Sequence, residues 1–256
     1  MLHLEVLFTP AEFRQLSETD LGGTTCVVFD VLRATSTMLE ALGNGAAGIR
    51  PAADIPSALE SKRHHPGALL AGERDGHRIL AALSGGTDFD LGNSPREFTR
   101  ERVAGREIIM TTTNGTRALH ASRGSRSVLI GSMTNLDAIA RHLLLRLPER
   151  LVLVCSGTLE NASFEDTFAA GALVDSLWAA YGESAGSRPD DSAAIARATY
   201  RMHAGEGVQV ARHARNGRRL AAEPDLAGDL PLCLSPNRWD LVAGLATDGV
   251  VRMLPG

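Results

Sequence analysis

The segment Ile108-Ile-Met-Thr-Thr-Thr-Asn-Gly-Thr-Arg117 decides how the rest of the chain is read. An apolar strand ends at Met110, three threonine hydroxyls and an Asn-Gly turn follow, and a helix is expected from about Thr116. A strand that hands over to a polar loop and then a helix is the repeating unit of a parallel sheet. The leading amides of such a helix are suited to an anion, so the loop reads as a phosphate pocket. Shortly upstream, Asp88-Phe-Asp-Leu-Gly-Asn-Ser-Pro95 adds further polar loop chemistry.

Two more segments repeat the pattern. Val27-Val-Phe-Asp30 is an apolar strand ending in a carboxylate, followed by Val-Leu-Arg33-Ala-Thr35-Ser36-Thr37 at the start of a helix. Leu151-Val-Leu-Val-Cys155 leads through a Ser/Gly/Asn loop into Ser163-Phe-Glu165-Asp166-Thr167 and a long helix to about Ala180. Ser163 and Asp166 have the spacing of a capping box, a structural task that leaves Glu165 over.

Outward from these units, apolar strands are expected near 3 to 8, 26 to 29, 47 to 50, 68 to 71, 107 to 110, 127 to 131 and 151 to 155. Helices fall between most of them, at about 31 to 43, 55 to 63, 115 to 122, 135 to 146 and 163 to 181. The alternation places the chain in the α/β class, with a mostly parallel sheet covered on both faces. After a linker at 181 to 191 come helices at about 191 to 203 and 206 to 221 and a short strand near 249 to 253. In such sheets ligands gather beyond the carboxyl ends of the strands, so Asp30, Glu73, Thr111 to Arg117 and Ser156 to Asp166 are expected around one cleft.

Composition narrows the function. The 256 residues, 44% apolar but only 4% aromatic, can bury a full aliphatic core. A net charge of −4 and a pI near 6.1 argue against a general binder of nucleic acid or anionic membrane, and for a small-molecule partner. Three cysteines, at 26, 155 and 233, make no disulfide framework and point to a reducing compartment. The amino terminus lacks the features of a secretory signal and no segment is long and apolar enough to span a bilayer, so a cytoplasmic location is expected.

Several motifs fail on context. Gly43-Asn-Gly45-Ala-Ala-Gly48 has the letters of a dinucleotide fingerprint but follows a helix and precedes a strand, the reverse of the required order; Gly43 reads as a helix C-cap. No Gly-rich loop of the nucleoside triphosphatase type is present, and no cysteine has an arginine at the spacing that cysteine-based phosphate transfer needs. Asp30 lacks the second aspartate of aspartyl-phosphate enzymes, since Leu32 stands there. No two of the eight histidines have helical metal spacing, which disfavours zinc. What remains is oxygen chemistry of the kind Mg²⁺ takes.

Six blocks together resemble the signature of the 2-phosphosulfolactate phosphatase (ComB-like) family. They are Asp30-Val-Leu-Arg-Ala-Thr-Ser-Thr37, Ala71-Gly-Glu-Arg74, Phe89-Asp-Leu-Gly-Asn-Ser-Pro95, Met110-Thr-Thr-Thr-Asn-Gly-Thr-Arg-Ala-Leu119, Glu165-Asp166-Thr167 and Ala214-Arg-Asn-Gly-Arg-Arg-Leu220. The resemblance runs in order from about residue 4 to the end. It implies a three-layer α/β/α fold forming one ComB-like domain over 1-256, with two α/β lobes meeting near 85-105 and 181-191 as the variant arrangement. It also implies Mg²⁺-dependent hydrolysis of (2R)-2-phospho-3-sulfolactate, as in coenzyme M biosynthesis. Alternatives kept open are another small phosphorylated hydroxy acid as substrate, or non-catalytic binding of such metabolites; a homodimer is one assembly left open. Where many relatives read Leu-Cys-Ala-Gly, this chain reads Phe168-Ala-Ala-Gly171, so no thiol at Ala169 is needed.

On this reading Asp30, Glu73 and one or both of Glu165 and Asp166 hold the metal, with Glu73 or Asp166 as proton donor to the leaving oxygen. Arg33, Thr112, Thr113, Asn114, Gly115 and Thr116 supply donors to the phosphoryl group, beside Asn93 and Ser94. The sulfonate is met by arginine, with Arg74, Arg117 and Arg215 available. Arg212, Arg215, Arg218 and Arg219 as a set read mainly as a solvated helix face. Whether water attacks directly or Asp30 forms a phosphoenzyme stays open.

Overall fold

The computed structural model describes residues 2–181 and 187–255. Its strands are β1 (Leu2–Leu7), β2 (Thr24–Phe29), β3 (Gly48–Pro51), β4 (Leu69–Arg74), β5 (His77–Arg78), β6 (Glu107–Thr111), β7 (Ser127–Gly131), β8 (Arg150–Cys155), β9 (Ser187–Pro189), β10 (Ala243–Leu245) and β11 (Val251–Met253). The helices are α1 (Pro10–Arg14), α2 (Ala34–Gly43), α3 (Ile55–His64), α4 (Ala81–Ser84), α5 (Arg100–Val103), α6 (Gly115–Ala121), α7 (Leu136–Arg146), α8 (Phe164–Tyr181), α9 (Asp191–His203), α10 (Arg215–Ala222), α11 (Pro224–Ala227) and α12 (Asp229–Leu234).

All eleven strands join one sheet in the order β5-β4-β6-β3-β11-β10-β7-β2-β8-β1-β9. β7, β2, β8, β1 and β9 are mutually parallel, as are β3, β6 and β4. Between these groups lies the antiparallel β10–β11 hairpin, which touches each through a single antiparallel pairing, Gly244 with Leu129 and Val251 with Ile49. Three antiparallel steps in succession make the two parallel groups run in opposite senses. The carboxyl ends that were expected along one edge therefore belong to two sub-sheets. With only one pairing on each side of the hairpin, and the ordinary strand-to-strand twist, nothing forces the groups to continue as a flat sheet.

Consecutive residues of the central strands serve opposite faces. In β2, Val27 and Phe29 join a cluster with α7, α8 and α12, while Cys26 and Val28 join another with Phe13, α2 and α6. Helices thus cover both faces, giving three α/β/α layers. The tightest helix contact is at Gly171 of α8, where a methyl group would sit 2.0 Å from the carbonyl oxygen of Ala196 in α9.

Local differences from the sequence expectation have physical causes. Gly43 is the last residue of α2 and Asn44 the cap, while Gly45 takes the left-handed turn at φ 92°. What Gly43 provides is room: a methyl group there would lie 2.5 Å from the Trp239 ring. The expected helix 206 to 221 is broken into a 3₁₀ segment, Ala204–His213, and α10. The terminal strand is a hairpin of two. Of the expected linker, 182–186 lie outside the described residues, and Ser187–Pro189 pair with β1 as an edge strand.

Gly171→Ala should destabilise the protein by about 3 kcal/mol, the upper part of the usual overpacking range, because the obstacle is backbone. Thermal unfolding checks this; a melting temperature equal to the parent's would show that α9 is free to move away.

Candidate active site

One cavity of about 240 Å³ is lined from both sub-sheets. Asp30 and Arg33 follow β2, Glu73 is the penultimate residue of β4, Thr113 and Asn114 follow β6, and Thr158 follows β8; Asn93, Arg215, Asn216 and Arg219 also line the wall. Close approach of α2 and α6 brings these loops together. A methyl group on Gly115, the first residue of α6, would lie 2.8 Å from both Asp30 Oδ2 and the Ala34 side chain, so only glycine fits there.

Asp30, Glu73 and Asp166 are held by backbone and Glu165 by a side-chain amide. Asp30 Oδ1 accepts from the Ala34 N–H at 3.2 Å. Glu73 Oε1 accepts from the N–H and hydroxyl of Thr113 at 2.9 and 3.0 Å, and Oε2 from the Gly76 N–H at 2.9 Å. Asp166 accepts from the Val31 N–H at 2.8 Å and the Gly157 N–H at 3.2 Å, tying together the loops after β2 and β8. Ser163 Oγ is buried without a partner, so the expected capping box does not form; the Asp166 side chain is used between loops instead. Glu165 Oε1 accepts from Asn216 Nδ2 at 2.7 Å, and the same amide reaches Thr158 Oγ1 at 2.8 Å.

Burial sets the electrostatics. Asp30 is pushed up from 3.8 to about 7, first by burial and further by Glu73 and Glu165, against the N–H groups of Ala34 and Gly115. Burial likewise raises Glu165, and raises Asp166 strongly with the help of Glu165 and Asp30. Such carboxyls, crowded at a cavity, mark a candidate functional site.

The structure brings Asp30, Arg33, Glu73, Asn93, Thr113 and Asn114 to the cavity wall, and places others elsewhere. Arg74 follows Glu73 in β4 and so points to the other face, where it donates to the Glu73 carbonyl at 2.6 Å and to Thr111 Oγ1 at 3.1 Å. Arg117 pairs with Glu160 at 3.0 Å on the surface. Ser94 donates to Asp229 Oδ1 at 2.6 Å, and Thr112 and Thr116 bond one another at the start of α6. Gly115 is packed against Asp30. Glu165 and Asp166 stand behind the wall, the first reached through Asn216.

Arg33 is fixed by Asp229 at 2.7 Å and by the Gly76 carbonyl at 2.6 Å. Of the arginines offered for the sulfonate only Arg215 lines the cavity, and Arg219, read as part of a solvated face, joins it. Asn216 was missed; its place in the block Ala214 to Leu220 was the available signal. The strand alternation of Glu73 and Arg74 was the signal against Arg74.

The family model described as 2-phosphosulpholactate phosphatase matches residues 9–247. The chain belongs to this family. Curated relatives agree over nearly full length. A probable 2-phosphosulfolactate phosphatase of Synechococcus sp. (strain RCC307) is 38% identical over 89% of this chain and 91% of its own. Proteins of the same description from Caldanaerobacter subterraneus subsp. tengcongensis and Prochlorococcus marinus (strain MIT 9313) are 33% and 36% identical, covering 96% and 98% of this chain and 97% and 99% of theirs. Five of the six blocks of the phosphosulfolactate phosphatase signature contribute at least one residue to the cavity wall, and the sixth stands directly behind it. Among the described residues no helix is long and apolar enough to cross a membrane.

A carboxyl raised on folding gives stability that is complete below its unfolded value and is lost as pH rises through its folded value. For Asp30 that window is 3.8 to about 7. In EDTA the melting temperature should therefore fall between about pH 4 and about pH 7, and Asp30→Asn should fall less steeply over that range. Parallel curves would take Asp30 out of the pH dependence.

Proposed function

We propose that this chain is a Mg²⁺-dependent phosphoric monoester hydrolase that converts (2R)-2-phospho-3-sulfolactate to (2R)-3-sulfolactate and phosphate, a reaction of the coenzyme M biosynthesis type. The observation that carries the reading is the placement of Asp30 and Glu73 opposite arginine and amide donors on one small cavity, in a chain of this family. At about 240 Å³ the cavity lies below the roughly 300 Å³ at which ordinary ligand sites begin, which suits a three-carbon metabolite.

The donor set fits Mg²⁺, which takes hard oxygens and is commonly held by one or two carboxylates, waters and substrate phosphate oxygens. Asn93 Oδ1, buried without a partner on the same wall, is an acceptor that a hydrated cation or a ligand hydroxyl would satisfy. Asp30 and Glu73 would hold the ion, with Glu165 adding negative potential from behind Asn216. When bound, the ion supplies neutralisation of charge on the phosphoryl oxygens.

The chain's own residues do the rest by positioning. Phosphoryl transfer passes through a loose transition state that asks for orientation and charge stabilisation more than covalent chemistry. Arg33, immobilised by Asp229 and Gly76, holds a fixed guanidinium on the wall that Asp30 also lines. Thr113 and Asn114 orient the ester, and Arg215 and Arg219, both exposed, grip its acid groups with forked donors. Asp166 acts through the loops it joins and touches no reacting atom. The three free cysteines are all buried, in keeping with a reducing compartment such as the cytoplasm.

Purified protein should release phosphate from phosphosulfolactate with Mg²⁺ and not with EDTA, and Asp30→Asn should abolish turnover while its far-ultraviolet circular dichroism matches the parent's. Ligand-dependent thermal stabilisation without phosphate release would establish a binder instead. If phosphosulfolactate ranked below phospholactate or phosphoglycerate by more than about tenfold in kcat/KM, the sulfonate assignment would go and the reaction class would stay. Arg215→Ala should raise KM for phosphosulfolactate by about tenfold while changing KM for phospholactate much less, the loss of one exposed charge-assisted contact being worth ~1.5 kcal/mol.

A further inference from the structure

Away from the cavity wall, the 3₁₀ segment Ala204–His213 closes three potential metal ligands into one cluster. His203 Nδ1 lies 2.8 Å from Glu206 Oε1, and His213 Nε2 lies 3.0 Å from Glu206 Oε2. One ligand atom from each of the three residues lies within 4.8 Å of the others. The two imidazole rings are 4.4 Å apart at their centroids, and Phe164 packs on both at 5.4 Å. The three side chains are partly buried, at 17, 23 and 32% exposure for His203, Glu206 and His213. The cluster is thus held together by a turn and backed by an aromatic ring, with one side open to solvent.

We propose that His203, Glu206 and His213 bind a borderline divalent cation of the Zn²⁺ class. Two imidazole nitrogens and one carboxylate are a ligand set that such ions take with a further position left for water. The same nitrogens select against Mg²⁺, which prefers oxygen. Glu206 already orders both rings, so binding replaces its hydrogen bonds to them, and the one from Arg212 to His213, by three coordinate bonds with little rearrangement. Two cations stand nearby: Arg212 lies 3.3 Å from Glu206 and also donates to His213 Nε2 at 3.3 Å, but its side chain is 62% exposed, so it can swing into water at small cost, while Arg218 donates to the Arg212 and His213 carbonyls at 3.0 Å and leaves the ligand atoms free.

The location gives the site its consequence. Phe164 directly precedes Glu165, and His213 stands two residues before Arg215, so the cluster touches both chain segments that bring Asn216 and Glu165 together. A bound ion would cross-link the two ends of the 204–213 segment and so fix the start of α10, which carries Arg215, Asn216 and Arg219. This is a structural site, separate from the oxygen site proposed above, and it stands whether or not that reading holds.

The test uses untagged full-length protein stripped with chelator and titrated with Co²⁺ in excess Mg²⁺, so that oxygen sites are already filled. Expected are saturable binding of one Co²⁺ per chain with the visible spectrum of a four- or five-coordinate ion, its displacement by Zn²⁺, and a rise in melting temperature on Zn²⁺ addition. His203→Gln and His213→Gln should each weaken binding by at least about 100-fold, more than the loss of an outer-shell partner costs. Affinity should also fall on acidification as the imidazoles protonate. Hyperfine-shifted imidazole N–H proton resonances in the Co²⁺ protein would identify the ligands even if a variant failed to fold. A spectrum that stays that of hexaaqua Co²⁺, absence of such resonances, or unchanged affinity in both folded variants would overturn the proposal.

Discussion

Four acidic side chains buried around the meeting point of two sub-sheets are the constraint to which the rest of this molecule answers. Unpaired, Asp30, Glu73, Glu165 and Asp166 would repel one another and lose their water. The fold meets Asp30, Glu73 and Asp166 with backbone N–H groups from Val31, Ala34, Gly76, Thr113 and Gly157, donors that cannot swing away, and Glu165 with the Asn216 amide. Those hydrogen bonds fix the loops as much as the loops fix the carboxylates. The residual cost stays in the raised values of Asp30, Glu165 and Asp166.

The arrangement of the sheet explains how distant segments share one cavity. Each parallel group delivers polar loops at its carboxyl ends, β2 and β8 from one and β4 and β6 from the other. The hairpin of β10 and β11 sits between the groups, and α2 meets α6 through Ala34 and Gly115. That contact tolerates no side chain at position 115. Glu73 then bridges from β4 to the loop after β6, and Asp166 bridges the loops after β2 and β8.

Charge is layered around the cavity. Carboxylates lie innermost, amides and hydroxyls of Asn114, Asn216 and Thr113 come next, and the exposed arginines of α10 stand farthest toward solvent. On the proposed reading, a cation inside and an acidic ligand outside would both find complementary charge. A larger cavity of about 560 Å³, lined by Arg50, His120, Arg123 and Arg126 among others, lacks this layering: its one carboxylate, Asp248, is already paired with Arg252 at 2.7 Å.

Local sequence determined the strands, most of the helices and the identity of the loops that carry chemistry, because hydrophobic period and turn residues act over a few positions. It also marked Asp30, Glu73, Thr113 and Asn114, since each follows or ends an apolar strand. Facing was decided elsewhere. Arg74 turns away by strand pleat, Asp166 caps nothing and joins two loops, and Arg219 leaves a solvated face for the cavity wall. The opposed senses of the sub-sheets rest on three antiparallel pairings, two of which, β11 with β3 and β10 with β7, join strands far apart in the chain, and the closeness of His203 and His213 rests on a turn with no helical spacing. Such contacts join residues far apart in the chain or across an irregular turn, and no local pattern encodes which partners packing will bring together.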